Sequence, residues 1–234
     1  MPREAGVAPP ASALPPPQQP RHLRWPLWWP VCRLRGALLR LVIFPALRLL
    51  YRIDMSGAEQ FEGLGACVIV ANHCSHLDNA LILAALPAAR RRRLAIAAAA
   101  DTIFKRRGRG MLAALLGNAF PVARGGGTAR SIEYCRWLLE RGWSVLLYPE
   151  GRLTVGGPMQ PFRHGIGVLA TAAPVPVVPL RVEILRRGMG EGRRLPWRGR
   201  AAVHIGAPCD FPPEASADAV VKALEAAVFA AGRA

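Results

Sequence analysis

The sequence predicts an α/β fold, a single mixed, largely parallel sheet flanked by helices, with a separate helical segment at the N-terminus. Short apolar runs alternate with helical stretches along most of the chain, the pattern of strands that cross over to parallel neighbours. Its 234 residues are 52% hydrophobic, enough for one substantial core. The block Asn72-His73-Cys74-Ser75-His76-Leu77-Asp78-Asn79 lies between a strand-like run and a helix-like one. That edge of an α/β sheet is where chemically active side chains collect.

In chain order, residues 1–20 are rich in Pro and Ala, cannot bury a core, and read as a tail without the apolar stretch of a secretory leader. Residues 21–52 differ. Trp25, Trp28 and Trp29 open the segment, eleven Leu, Ile, Val or Phe residues follow between Val31 and Leu50, and arginines interrupt at 33, 35, 40 and 48. The longest run without charge is eight residues, well short of a membrane span. Eleven apolar residues at roughly −0.45 kcal/mol each give about −5, against about +3 for each central arginine, so spanning is near break-even. At about 100° per residue, Arg33, Arg40 and Arg48 share one side and Arg35 is the exception. Pro45 should bend the helix. The pattern fits a membrane-docking helix or helix pair lying in the headgroup region; the alternative is an amphipathic helix packed on the protein's own core.

Residues 53–234 form the main domain. Strands are expected at 67–71, 94–98, 118–122, 144–148, 175–184 and 201–205, each a short apolar or β-branched run bounded by turn residues. Helices are expected at 80–86, 109–116, 128–141 and 166–172. A last helix at 216–230 sets Val220, Val221, Leu224 and Val228 on one side. The run Val175-Pro176-Val177-Val178-Pro179 places two prolines in a strand, which argues for a sheet edge or for flanking turns.

Charge narrows the partners. Thirty-one Lys and Arg stand against fifteen Asp and Glu, a net +16, so the protein is drawn to polyanions: anionic membrane, phosphorylated small molecules or nucleic acid. The basic runs Arg90 to Arg93 and Lys105 to Arg109 lack the interleaved aromatics of a nucleic-acid surface. Five cysteines without a Cys-x-x-Cys pair suggest reduced thiols in a cytosolic compartment and no metal site.

Within the histidine block, His73 at the strand end is a candidate general base, and Asp78 five residues on is placed to fix its tautomer and stabilise the imidazolium. Ser75 to Asp78 also reads as a capping box, compatible with that pairing if His73 lies in the preceding loop. Cys74 reads as a loop or core thiol, and no Gly-x-Ser-x-Gly elbow occurs. Arg124, followed by Gly125-Gly126-Gly127, suits a phosphate, or else is a solvated loop arginine. Glu150, after the apolar strand 144–148, can orient a substrate, pair with an arginine, or serve as a cap. Gly151 allows close approach.

These blocks, in this order, resemble the glycerolipid acyltransferase family typified by 1-acylglycerol-3-phosphate acyltransferase. Its Asn-His-x-Ser-x-x-Asp block is matched by Asn72, His73, Ser75 and Asp78. Its Gly…Phe-x-x-x-Arg block is matched by Gly117, Phe120 and Arg124, its Phe/Tyr-Pro-Glu-Gly block by Tyr148 to Gly151, and its Val-Pro-Val-Val-Pro block by residues 175–179. The resemblance implies an O-acyltransferase domain over 53–234 that moves a fatty acyl group from an acyl thioester, acyl-CoA or acyl carrier protein, to a lysophospholipid hydroxyl. The leading acceptor is 1-acylglycerol-3-phosphate, with another lysolipid (lysophosphatidylethanolamine or a lyso-aminolipid) as the alternative; the rival function, supported by the basic runs alone, is a non-catalytic basic membrane- or nucleic-acid-binding protein. It implies His73 and Asp78 as catalytic and Asn72, Ser75, Phe120, Arg124, Glu150, Gly151 and Arg152 as substrate-binding. It also implies no cofactor beyond the co-substrate, membrane lipids as partners, no nucleic acid, and a place on the cytoplasmic face of the inner or plasma membrane. One departure bears on the acceptor: where the family continues Thr-Arg-Ser, this chain has Arg152-Leu153-Thr154, similar to the lysophospholipid acyltransferase half of some bifunctional acyltransferase/acyl-carrier-protein synthetases.

Overall fold

Every residue of the strand β2 (Val68–Ala71) is buried, because it lies inside the sheet with both faces covered. The computed structural model describes residues 25–123, 128–185 and 199–232. Among them run β1 (Tyr51–Ser56), β2, β3 (Leu94–Ala99), β4 (Ala119–Val122), β5 (Ser144–Leu147), β6 (Val177–Leu185) and β7 (Gly199–Ile205). These seven strands make one sheet in the order β1-β7-β6-β2-β5-β3-β4. All neighbours are parallel except β6 and β7, so the mixed, largely parallel sheet expected from the alternating pattern is the one observed.

Side chains alternate across a strand, so β2 feeds two cores. Ile69 and Ala71 enter one shared with α2 (Phe44–Leu50) and α3 (Asp78–Ala85). Val68 and Val70 enter the other, with α6 (Thr128–Glu140), α7 (Gly165–Ala172) and α8 (Ala217–Ala231). The stripe Val220, Val221, Leu224 and Val228 of α8 is buried there, as its spacing requires. The helices following the adjacent strands β2 and β5 therefore lie on opposite faces. That divergence opens a crevice at the strands' carboxyl ends.

Three sequence expectations change. The two prolines do not mark an edge, since β6 lies between β2 and β7. Pro179 is tolerated because its carbonyl accepts from Gly206 N at 2.8 Å. Its nitrogen therefore faces the same side, between the last β7 pair, Leu180 with Ile205, and the bridge from Val177 to Cys209. The helical segment also ends before residue 52, because Tyr51 and Arg52 already belong to β1. A further short helix, α4 (Ala88–Arg92), lies within the run of arginines, ahead of α5 (Arg107–Gly117).

The N-terminal segment is a 3-10 turn, α1 (Trp29–Leu38), a five-residue π segment (Leu39–Ile43) and α2. The irregularity falls just ahead of Pro45, which has no N–H to donate to the preceding turn of this continuous helical run. One side packs on the protein through Leu39, Phe44 and Leu47. The other leaves Trp28, Trp29, Leu34, Leu41, Val42, Leu49 and Leu50 exposed. Arg35, the arginine out of phase with the rest, is the one turned inward, 3% exposed. Its guanidinium donates to Leu115 O (2.7 Å), Pro26 O (2.8 Å) and Ala114 O (3.2 Å), closing the carbonyl end of α5. Burial lowers its pKa.

Candidate active site

β2 ends at Ala71, and the next residues are pinned from three sides. Asn72 is buried and its amide makes a reciprocal pair with the main chain of β6, Nδ2 to Val182 O at 2.9 Å and Val182 N to Oδ1 at 2.7 Å. His73 then leaves the sheet. Its N–H donates to Glu150 Oε1 at 2.6 Å, and its carbonyl accepts from Thr154 N at 2.8 Å. Both contacts come from the segment after β5, which ends on the same edge because β2 and β5 are parallel.

The ring is fixed independently. His73 Nδ1 lies 2.8 Å from Asp78 Oδ2, and Asp78 is fully buried. A carboxylate only accepts, so Nδ1 carries the hydrogen and Nε2 is left as the basic nitrogen. The same Oδ2 accepts from Cys74 N (2.8 Å) and Ser75 N (2.9 Å), so the turn wraps the carboxylate. This is half of the expected capping box: the side chain at 78 reaches back, but the Ser75 hydroxyl accepts from Leu77 N (3.2 Å) and Asp78 N goes to the Ser75 carbonyl (3.2 Å). Below the imidazole, Tyr148 stacks with centroids 4.2 Å apart and planes at 23°. Its hydroxyl donates to Asn79 Oδ1 at 2.6 Å. Burial, with Asp78 and Cys74 nearby, pushes the Tyr148 phenol well above its usual range.

Cys74 is held away from nucleophilic duty. Its thiol points at Asp78 Oδ1 and Val182 O, both 3.5 Å, and burial followed by the Asp78 charge pushes it up to about 12. The thiolate that attack requires is therefore scarce at neutral pH.

His73 faces a cavity of about 840 Å³, within the range of ligand sites. Small side chains of β3, Ala97 to Ala99, leave the space open, and Ile132, Val168 and Leu169 give it apolar walls. Its cationic lining is Arg109, Arg152 and Arg163, joined by His76 and His164. Of the residues singled out in the sequence, His73, Gly151 and Arg152 line this space. Arg152 is exposed and donates to the Gln160 side chain. Asn72, Ser75 and Glu150 do not line it, and Phe120 is buried in the core against Tyr134, with centroids 5.0 Å apart. Arg124 lies outside the described residues. Of the basic run 90–93, Arg90 is spent on Leu64 O, Gly65 O and Ser144 Oγ, and Arg91 on Leu83 O and Leu86 O.

Two members of the site left little trace in the sequence. Tyr148 was visible only as part of a block, with nothing to say that its ring lies under the imidazole. Arg163 belongs to no block. Only the structure ties it to Gly151, whose φ of +69° favours glycine and beside which the Arg163 guanidinium packs so closely that an added Cβ would displace it.

A buried aspartate holds one nitrogen of a strand-end histidine, and that histidine lines the cavity. The acyltransferase family model matches residues 52–183, and the chain belongs to that family. It is similar to the 1-acyl-sn-glycerol-3-phosphate acyltransferase alpha of Mus musculus, 32% identical over 165 residues, or 64% of this chain and 54% of that protein. The human protein of the same name is 32% identical over 161 residues, 64% of this chain and 55% of that one. The chain thus spans about half the length of these curated relatives. The fold is that of the crystal structure of the 1-acyl-sn-glycerophosphate (LPA) acyltransferase PlsC from Thermotoga maritima: TM-score 0.60, 20% identity, 86% of this chain and 82% of that one.

Proposed function

We propose that this protein transfers a fatty acyl group from an acyl thioester to the free hydroxyl of a lysophospholipid, 1-acylglycerol-3-phosphate first among acceptors, yielding phosphatidic acid. The observation that carries this reading is the His73–Asp78 pair at 2.8 Å beside the cavity of about 840 Å³. Nε2 of His73 takes the proton of the acceptor hydroxyl as its oxygen attacks the thioester carbonyl. Asp78 holds the imidazolium that forms. The tetrahedral intermediate then expels the thiolate, whose conjugate acid has a pKa of about 8.5, and the imidazolium proton goes to the departing sulfur. No covalent enzyme intermediate is required.

The apolar walls suit the acyl chain, and Arg109, Arg152 and Arg163 suit anionic groups of donor or acceptor. Arg124 is proposed as a further phosphate ligand. Its substitution by alanine should raise KM mainly for the phosphorylated acceptor. The exposed apolar side of α1 and α2, with Arg33 set 4.8 Å over the Trp29 ring, supports docking on the cytoplasmic leaflet of a membrane. No helix among the described residues is long and apolar enough to cross a membrane.

The test incubates purified protein with labelled acyl-CoA or acyl carrier protein and a panel of lysolipids, then identifies the product. Labelled phosphatidic acid is expected. Preferential acylation of a different lysolipid would move the acceptor, and failure with every pair would overturn the proposal.

A further inference from the structure

We propose that Glu150 is a positioning residue for the His73 base and not a ligand of substrate; this rests on the reading of His73 given above. Glu150 is 4% exposed, and both carboxylate oxygens are engaged by protein. Oε1 accepts from His73 N at 2.6 Å. Oε2 accepts from Gln160 N at 2.8 Å and lies 3.4 Å from the Thr154 hydroxyl. It is absent from the lining of the cavity, whereas its neighbours Pro149 and Gly151 belong to it.

The physical need is clear from the topology. β2 ends at Ala71, so the N–H of His73 has no ladder partner at a position half-closed to water. The carboxylate supplies that partner as a charge-assisted bond, roughly twice as strong as a neutral one. Thr154 N, from the same segment, takes the His73 carbonyl at 2.8 Å. The main chain of residue 73 is thereby held on both sides by residues 150–154, while Asp78 and Tyr148 hold its ring. Two buried carboxylates divide the work: Asp78 fixes the imidazole and Glu150 fixes the backbone that carries it. The Oε2 contact extends the clamp to Gln160, the partner of Arg152, tying the base to the cationic lining.

A glutamine at 150 keeps the size but presents an NH₂ to one of two main-chain N–H groups, so one side of the clamp becomes repulsive. An aspartate keeps the charge but is one methylene short of spanning both. A displacement of about 1 Å at a reacting group costs on the order of 10² in rate.

The experiment compares wild type, Glu150→Gln, Glu150→Asp and His73→Ala by steady-state acyl transfer on folded protein. The expected result is a kcat lower by about 10- to 100-fold in both Glu150 variants, with KM for thioester and lysolipid within about twofold of wild type. A purely structural role would lower the melting temperature and leave the kcat of the folded fraction alone, which overturns the proposal. A rise of about tenfold or more in the lysolipid KM overturns it as well, returning Glu150 to substrate binding. If His73→Ala keeps its turnover, the general-base reading fails instead. Should the Glu150 variants not fold, hydrogen exchange on the wild type decides: slow exchange at the His73 amide supports the clamp, and exchange at the rate of an open loop overturns it.

Discussion

Replacing Asp78 by asparagine removes one charge from the site and almost no volume. In the ground state the carboxylate meets a neutral imidazole; as the proton transfers, it faces a cation with Nδ1 2.8 Å from Oδ2. Taking about 4 Å between charge centres and an effective dielectric of about 20, the pair is worth about 4 kcal/mol, or nearly three decades in rate. The asparagine oxygen can still accept from Cys74 N and Ser75 N, so the turn should survive, and Asp78 does not line the cavity. Asp78→Asn should therefore lower kcat by about 10²- to 10³-fold while leaving both KM values near wild type. The assay is initial-rate acyl transfer with labelled thioester at saturating donor and acceptor, on protein whose thermal unfolding shows it folded. A kcat loss under about tenfold, or a loss residing in KM, would refute the electrostatic role.

Arg35→Ala leaves the carbonyls of Pro26, Ala114 and Leu115 without their donor. The expected loss is about 3 kcal/mol, a melting temperature lower by about 6–12 °C, and a drop under about 2 °C would contradict it. Arg163→Ala should raise KM for phosphorylated acceptors more than for neutral ones, and equal KM values for both would remove Arg163 from headgroup recognition. Folding raises the Cys74 thiol from its ordinary 9.0 to about 12, so the folded state holds that proton more tightly. Its contribution to stability is complete below pH 9 and declines as pH rises from 9 toward 12. Alkylation of Cys74, followed by peptide mapping at pH 8, should be far slower than for an open thiol; labelling at the open-thiol rate would contradict its burial beside Asp78.

Much of this site could be read from residue order because local chemistry fixed it. β2 is an uninterrupted apolar run and β5 is one after its first residue, Ser144, and that continuity signals strands buried on both faces. His73 and Asp78 are five apart, close enough for a loop and one helical turn to bring them together. What could not be read depends on main-chain partners. The partners of Glu150 are the N–H groups of His73 and Gln160, which every sequence carries alike. Asn72 likewise bonds the backbone of Val182, 110 residues away, a contact that no local spacing signals. β1 leaves no strand signal in the sequence, because Arg52 and Asp54 break its apolar pattern and it follows directly on α2. Two prolines fit either a sheet edge or flanking turns; Pro176 lies just ahead of β6, and Pro179 faces the point where the β7 ladder has run out.

The central claim is that Nε2 of residue 73 removes the acceptor's proton. The most direct measurement is single-turnover acyl transfer by folded His73→Ala protein, supplied with the thioester and lysolipid that serve the wild type best. The account predicts a rate lower by about 10²- to 10⁴-fold with substrate binding retained. A rate near that of the wild type would contradict it.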